Sequence, residues 1–328
     1  MKQSRNAQIL VAMSALTIIM ALPLALIFKY DEVKLSAKND PGIPTLKEQR
    51  ENIRAWALSC MGVAAKENCD VGDGLLFNGI LCLSGELFAC AAVKNSQSPD
   101  GRVWRAPIRV GYENPDSFSR DMALGALAYI VATGDGVFAQ NWLQWIQTHN
   151  GRLCLLASDN RCDFTPGLWD LFGQVWSHIG LTPSPEMSAD LFDDSIVQVL
   201  QARVAPVGYS LHLVAVDLLI RKSFFGVEKN KHYKGNSGVL LHNNKDSFEY
   251  MAADILAERQ PMNPFYLFLR DGPTPQVRAL THALCPTQAP ELRKQWFLER
   301  DTSEQAWKEA MGWDCVALLN LVLKIEHH

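Results

Sequence analysis

The sequence of 328 residues lacks several motifs that identify common enzyme classes. No G-x-S-x-G segment occurs, which argues against a serine hydrolase with a nucleophile elbow. The phosphate-binding patterns G-x-x-x-x-G-K followed by Ser or Thr, and G-x-G-x-x-G, are also missing, which argues against nucleotide chemistry. No C-x-x-C or H-x-x-x-H spacing offers the paired ligands of a zinc site. We therefore expect neither a metal nor a cofactor.

Basic clusters are missing as well, and the formal net charge is −4 at pH 7. Proteins that bind nucleic acid usually carry a basic patch or stripe that contacts the phosphates. Nucleic acid is therefore not expected as a partner.

The longest stretch without charge is residues 7–28, AQILVAMSALTIIMALPLALIF. About 20 apolar residues suffice to cross a bilayer as a helix, and Pro23 is tolerated in such helices. A cleaved signal peptide, the alternative, would have a shorter apolar region and a cleavage site after small residues. We predict a single-pass signal-anchor in the cytoplasmic (inner) membrane, with residues 1–6 in the cytoplasm and the lipid bilayer as partner of residues 7–28.

The chain has eight cysteines. Neighbours along the chain form the pairs Cys60 and Cys69, Cys82 and Cys90, Cys154 and Cys162, and Cys285 and Cys315. An even number behind a membrane-targeting segment favours disulfides and an oxidising compartment, although spacing does not fix the connectivity. The alternative is buried free thiols that pack as small hydrophobes. With disulfides, the main domain lies on the periplasmic or extracytoplasmic side.

Behind the anchor, residues 29–45 are polar and contain Pro41, Gly42 and Pro44, which predicts a short tether. Residues 46–328 then form the helical extracytoplasmic domain. Helical patterns separated by Gly, Pro, Asn and Asp clusters dominate there, and the period-two alternation of half-buried strands is rare. The patterns predict about ten to twelve helices.

Two types of helix alternate along this domain. The segment from Met122 to Ala132 is apolar around its whole circumference, which is typical of a helix buried on all sides. The next segment, from Phe138 to Gln147, has its large apolar residues on one face only, so the two predict an inner and an outer helix joined by TGDG. GLLFNGILCL followed by ELFACAAVKNS repeats the alternation.

This organisation resembles the six-hairpin (α/α)6 toroids of many glycoside hydrolases and some polysaccharide lyases. The segment SRDMALG is loosely similar to Ser-Arg-rich helix starts in some of those enzymes. The resemblance implies an all-α fold in which an N-terminal transmembrane helix precedes a helical toroid. An irregular multi-helix bundle is the alternative.

Acidic residues precede both fully apolar helices, Asp70 and Asp73 before one and Asp121 before the other. Ser117 or Ser119 can cap the second helix, and an acid in a first turn is favoured by the helix dipole. Glycoside hydrolysis usually needs two carboxyl groups. We therefore predict Asp73 and Asp121 as the catalytic pair with Asp70 as the substitute, against the simpler readings of a turn and a helix start.

The connection between these sites supplies binding candidates. It contains Trp104 and Arg105, and Arg120 follows at the helix start, where it can pair with a carboxylate. Aromatic faces beside guanidinium groups suit sugar rings and acidic substituents, and long loops are often functional. A packed loop with solvated arginines is the alternative.

Three further residues are weaker candidates for substrate binding. His212 lies in an otherwise apolar helix, where a lone His is more often a core residue than a catalyst. In a lyase it would be a candidate base, with Arg120 neutralising a uronate carboxylate. Trp169 and Asn263 each lie near a predicted helix start, although Trp is a normal core residue and Asn-Pro a normal turn.

Together these patterns predict a membrane-anchored carbohydrate-active enzyme that hydrolyses glycosidic bonds of an envelope or capsular polysaccharide. The first alternative is a non-catalytic envelope protein that binds a glycan or a partner. The second is a polysaccharide lyase. Carboxylates held in structural ion pairs would favour the binding protein over the hydrolase.

Overall fold

The computed structural model describes residues 44–114, 118–155, 160–182, 194–225, 248–290 and 311–324. The predicted anchor at residues 7–28 and nearly all of the tether lie outside these ranges. Within them, no helix has both the length and the apolar character that a bilayer crossing requires.

Twelve α-helices account for most of the described residues and confirm the helical character that the sequence predicts. They are α1 (Leu46–Trp56), α2 (Gly74–Ser84), α3 (Leu87–Lys94), α4 (Arg120–Thr133), α5 (Gly136–Thr148), α6 (Pro166–His178), α7 (Asp194–Val204), α8 (Tyr209–Phe225), α9 (Phe248–Arg259), α10 (Pro264–Asp271), α11 (Pro275–Leu284) and α12 (Trp313–Lys324). The named strands of the described ranges are β1 (Ser59–Cys60) and β2 (Val63–Ala64), an antiparallel pair. Among these elements no toroid is evident.

Helices α2 and α4 are the buried helices that the sequence predicts. Every residue of α2 is buried, and α4 is buried from Asp121 to Ile130. The two helices cross at Gly79 and Gly125. A Cβ atom on Gly79 would lie 2.1 Å from the Gly125 carbonyl oxygen, so the two backbones touch with no side chain between them.

Helix α5 follows α4 as the predicted amphipathic partner. Its buried face contains Phe138, Ala139, Trp142, Trp145 and Ile146. The linker ends α4 at Gly134, which has a positive φ of 66°, and starts α5 at Asp135, whose carboxylate accepts a hydrogen bond from the Phe138 amide. The predicted succession of a buried helix and an amphipathic helix is therefore confirmed.

The structure joins the eight cysteines in four disulfides, each between the neighbours along the chain. Cys82–Cys90 connects α2 to α3, with Cα atoms 4.7 Å apart. Cys285–Cys315 connects the end of α11 to α12. Cys60–Cys69 and Cys154–Cys162 close short loops.

Candidate functional site

Asp73 occupies the N-cap position of α2, and its carboxylate is paired with two cations. Its Oδ2 atom contacts the ammonium of Lys66, and its Oδ1 atom lies 3.5 Å from Nη1 of Arg105. The Lys66 side chain is nearly buried, so this pair is shielded from water more than a surface ion pair is. The Asp73 carboxylate is therefore paired with two cations of the protein itself.

Arg105 links the start of α2 to the start of α4. Its Nη1 group also donates to the carbonyl oxygen of Gly72 at 2.5 Å. Its Nη2 group donates to the hydroxyl of Ser119 at 3.2 Å. One guanidinium therefore contacts both helix starts, and Arg105, predicted to bind substrate, is committed to this internal bridge.

Asp121 lies on the other side of the bridge. The Ser119 hydroxyl donates to Asp121 Oδ1, and the Asp121 side chain is buried. Ser119 does occupy the N-cap position of α4, but its side chain accepts no hydrogen bond from the helix amides, which corrects the predicted cap. The Ser119 hydroxyl instead donates its hydrogen bond to the Asp121 carboxylate. Ser117 lies outside the described residues.

The structure therefore links Asp73 and Asp121 in one cluster through the guanidinium of Arg105 and the hydroxyl of Ser119, which lie between them. A glycosidase places its carboxyl groups on either side of a sugar bond, with one free to donate a proton. Here the contacts of both carboxylates are made by groups of the protein itself. These contacts connect the starts of α2 and α4.

Asp70, the predicted substitute, forms a turn. Its Oδ1 atom accepts a hydrogen bond from the Gly72 amide at 2.7 Å, and the residue is exposed. Asp residues often stabilise a turn in this way. The simpler reading of the sequence accounts for its geometry.

A cavity of about 330 Å³ lies beside the start of α4. Residues from α4, α6, α7 and α8 line it, and so do the residues just before α6 and α8. Leu124, Leu168 and Val214 are buried, whereas Gln201 and Ser210 are exposed. The cavity therefore has a largely apolar interior, and its opening carries both polar residues and the exposed apolar residues Val204 and Pro206. A largely apolar lining with a few polar groups is the usual composition of a small-molecule site.

Arg120 is the predicted binding residue that does line this cavity. Its Nη2 group donates to Asn160 Oδ1 at 3.3 Å. Among the described residues no carboxylate lies within ion-pair distance of its guanidinium. The described residues therefore supply no carboxylate partner for Arg120, and its pairing with a substrate carboxylate stays a prediction. The Arg120 guanidinium therefore lines the cavity as a cation without a carboxylate partner in the described ranges.

The other charge at the cavity belongs to a buried ionic group. Asp217 lines the cavity, and its Oδ1 atom accepts from Arg221 Nε at 2.5 Å. Arg221 also donates to Asp170 Oδ2 at 2.9 Å. Burial by itself lowers the pKa of Arg221, but the two carboxylates raise it above its ordinary value. Asp217 is therefore already balanced by a fixed cation.

Trp104 and Trp169 lie within aromatic and polar packing. Trp104 is buried, its Nε1 donates to Ser98 Oγ at 2.9 Å, and the Arg102 guanidinium stacks 3.9 Å from its ring. Trp169 is half-buried and stacks on Phe164 with ring centroids 3.8 Å apart. Neither ring is among the residues that line the cavity.

Asn263 and His212 also have interior positions. Asn263 caps α10, since its side chain accepts from the amides of Phe265 and Tyr266. The His212 ring is fully buried, and burial lowers its pKa to about 3. It has no surface from which to meet a substrate, so it lacks the access that a lyase base needs.

Sequence reasoning missed Lys66, Arg221 and the cavity. Lys66 and Asp73 are seven residues apart in a loop, and nothing in that spacing predicts a pair. The pairing of Asp217 with Arg221 could have been predicted, because opposite charges four residues apart in an otherwise apolar helix lie on the same face.

Comparisons with protein-family models, curated proteins and solved structures find no match for this chain.

Proposed function

We propose that the chain is a non-catalytic ligand-binding protein, held outside the cytoplasmic membrane by residues 7–28, with the cavity beside α4 as its site. One observation carries this proposal. Arg120 lines a largely apolar cavity with no carboxylate partner in the described ranges, while the predicted catalytic carboxylates are held by groups of the protein.

The proposed location is supported by the four disulfides. Disulfides persist in oxidising compartments and are rare in the cytoplasm. A body with four of them behind an uncharged segment of membrane-spanning length fits the periplasmic or extracytoplasmic side.

A ligand screen with a blocked cavity tests the binding function. Ser210 is exposed at the cavity opening, so Ser210→Trp places an indole in the opening without disturbing the core. Gln140→Trp, on the exposed face of α5, is the matched control. We expect a compound library, including glycan fragments, to contain ligands that raise the melting temperature of the wild type and of Gln140→Trp but not of Ser210→Trp. A screen in which every stabilising compound acts equally on all three proteins would refute the cavity as the site.

A glycoside hydrolase of toroid type is the second candidate, because Asp73 and Asp121 meet in one cluster at the starts of two buried helices. It predicts that envelope or capsular glycans release reducing ends with the wild type and not with Asp73→Asn or Asp121→Asn. A lyase would give unsaturated products instead. The binding function predicts that no glycan is turned over by any of the three proteins.

A further inference from the structure

The interior of the cavity is suited to an apolar group. Its apolar lining comprises Leu124, Leu168, Ala205, Leu213 and Val214, and the exposed Val204 lies at the opening. Burying apolar ligand surface against such side chains is worth roughly 25 cal/mol per Å². A sugar would leave its hydroxyl groups there without partners, which opposes binding.

Among the described residues that line the cavity, the charged ones are Arg120 and Asp217. The Asp217 carboxylate is paired with Arg221, which also pairs with Asp170. Among the described residues, the guanidinium of Arg120 is hydrogen-bonded to the neutral amide of Asn160 and to no carboxylate. The starts of α4, α6 and α8 also contribute to the lining, and helix starts favour negative charge. An anionic group beside Arg120 is therefore favoured, and a second cation there is opposed.

The volume limits the size of the ligand. Ligand pockets usually measure about 300 to 1,000 Å³, and this cavity lies near the lower limit. It therefore accommodates one short chain and not a two-chain lipid.

We propose that the cavity binds a single-chain amphipathic carboxylate, with the chain against Leu124, Leu168 and Val214 and the carboxylate on the guanidinium of Arg120. The inference rests on the proposed binding function and specifies the chemistry of its ligand.

The test uses the full chain in lipid nanodiscs and hydrogen–deuterium exchange, which reports protection locally and is not confused by partition of the probe into lipid. The probes are octanoate, octylammonium and octanol. We expect octanoate to protect amides in the first turns of α4, α6 and α8, and octylammonium to leave them unchanged. Octanol, which lacks the charge, should protect them only at much higher concentration.

Two variants assign the effect to Arg120. Arg120→Gln should raise the octanoate concentration needed for half-maximal protection about tenfold or more, because a charge-assisted hydrogen bond is lost. Arg120→Lys should restore part of that loss. Arg109→Gln removes an exposed cation that does not line the cavity and should leave binding unchanged.

The outcomes separate this inference from the binding function. Equal protection by octanoate and octylammonium, or an unchanged octanoate response in Arg120→Gln, would overturn the anionic ligand and leave the cavity as a binding site. Protection by a glycan fragment, with none by the three octyl probes, would do the same. Failure of every probe and of every library compound at the cavity would refute both proposals.

Discussion

Gly79 of α2 and Gly125 of α4 face each other at the point where the two buried helices cross. A Cβ atom on Gly125 would lie 2.2 Å from the Leu75 carbonyl oxygen, far closer than van der Waals contact. Because the backbones approach so closely, the helix starts lie together, and a single guanidinium from Arg105 contacts both. The glycine pair therefore permits the close approach of the two helices whose starts carry Asp73 and Asp121.

Gly125→Ala should destabilise the protein, since the added methyl group overlaps the backbone of α2. Overpacking of this kind typically costs about 1 to 3 kcal/mol and occasionally more. Gly136→Ala is the control, because a Cβ atom at Gly136, the first residue of α5, meets nothing within 4 Å. Ala is a better helix former than Gly, so that variant should be neutral or slightly stabilising. Urea unfolding followed by tryptophan fluorescence measures both. Equal free energies of unfolding for the two variants would contradict the tight crossing.

The bridge made by Arg105 should be measurable as a coupling with Asp73. We expect the double-mutant cycle of Arg105→Gln and Asp73→Asn to give a coupling free energy of about 0.5 to 3 kcal/mol, because the two side chains share one network.

The exposed pair Arg152 and Asp163 provides the comparison for that cycle. Exposed ion pairs are screened by water and contribute about 0 to 1 kcal/mol. The cycle of Arg152→Gln and Asp163→Asn should therefore give the smaller coupling. If the Arg105 cycle gives no coupling, the bridge does not hold the two helix starts together.

The helices were predictable because they depend on local patterns, whereas the spacing of the cysteines suggested the disulfide partners without fixing them. An apolar circumference is visible in any window of a buried helix, as from Met122 to Ala132, and the disulfides join cysteines that neighbour each other along the chain. The crossing was not predictable, because Gly79 and Gly125 read only as glycines within apolar segments.

The different roles of Arg105 and Arg120 could not be predicted from local sequence patterns. In the sequence Arg120 stands directly beside Asp121, whereas Arg105 lies in the connection between the two acidic helix starts and adjoins neither. In the fold, adjacent residues at the start of a helix point in different directions, so Asp121 lies in the cluster and Arg120 lines the cavity. The distant Arg105 supplies the cation to the cluster. The cavity itself combines α4, α6, α7 and α8, which no local window contains.

The buried His212 should make stability depend on pH. Burial lowers the pKa of His212 to about 3 in the folded protein, while an imidazole in the unfolded chain titrates near its ordinary value of about 6.5. Below that value the unfolded chain binds a proton that the folded protein does not, so stability falls as the pH falls toward the folded pKa.

His212→Leu removes this contribution. The difference in free energy of unfolding between wild type and variant should be constant above about pH 7 and shift against the wild type by up to about 1.4 kcal/mol per pH unit between about pH 6 and pH 4. Urea titrations at several pH values give the two curves. Parallel curves across that range would mean that the folded protein protonates His212 as readily as the unfolded chain does.

The disulfides should differ in their contributions to the free energy of unfolding. Cys285–Cys315 closes a loop with a sequence separation of 30, and Cys154–Cys162 one with a separation of 8. A cross-link restricts the unfolded chain more when its loop is longer, and for these lengths the difference is about 1 kcal/mol in the chain-entropy account. We expect the double variant Cys285→Ala with Cys315→Ala to lose about 3 to 4 kcal/mol of unfolding free energy. The double variant Cys154→Ala with Cys162→Ala should lose about 1 kcal/mol less.

Urea unfolding of the two variants and the oxidised wild type gives these values. A larger loss from the short loop would show that its contacts in the folded protein, and not restriction of the unfolded chain, determine the contribution of that disulfide.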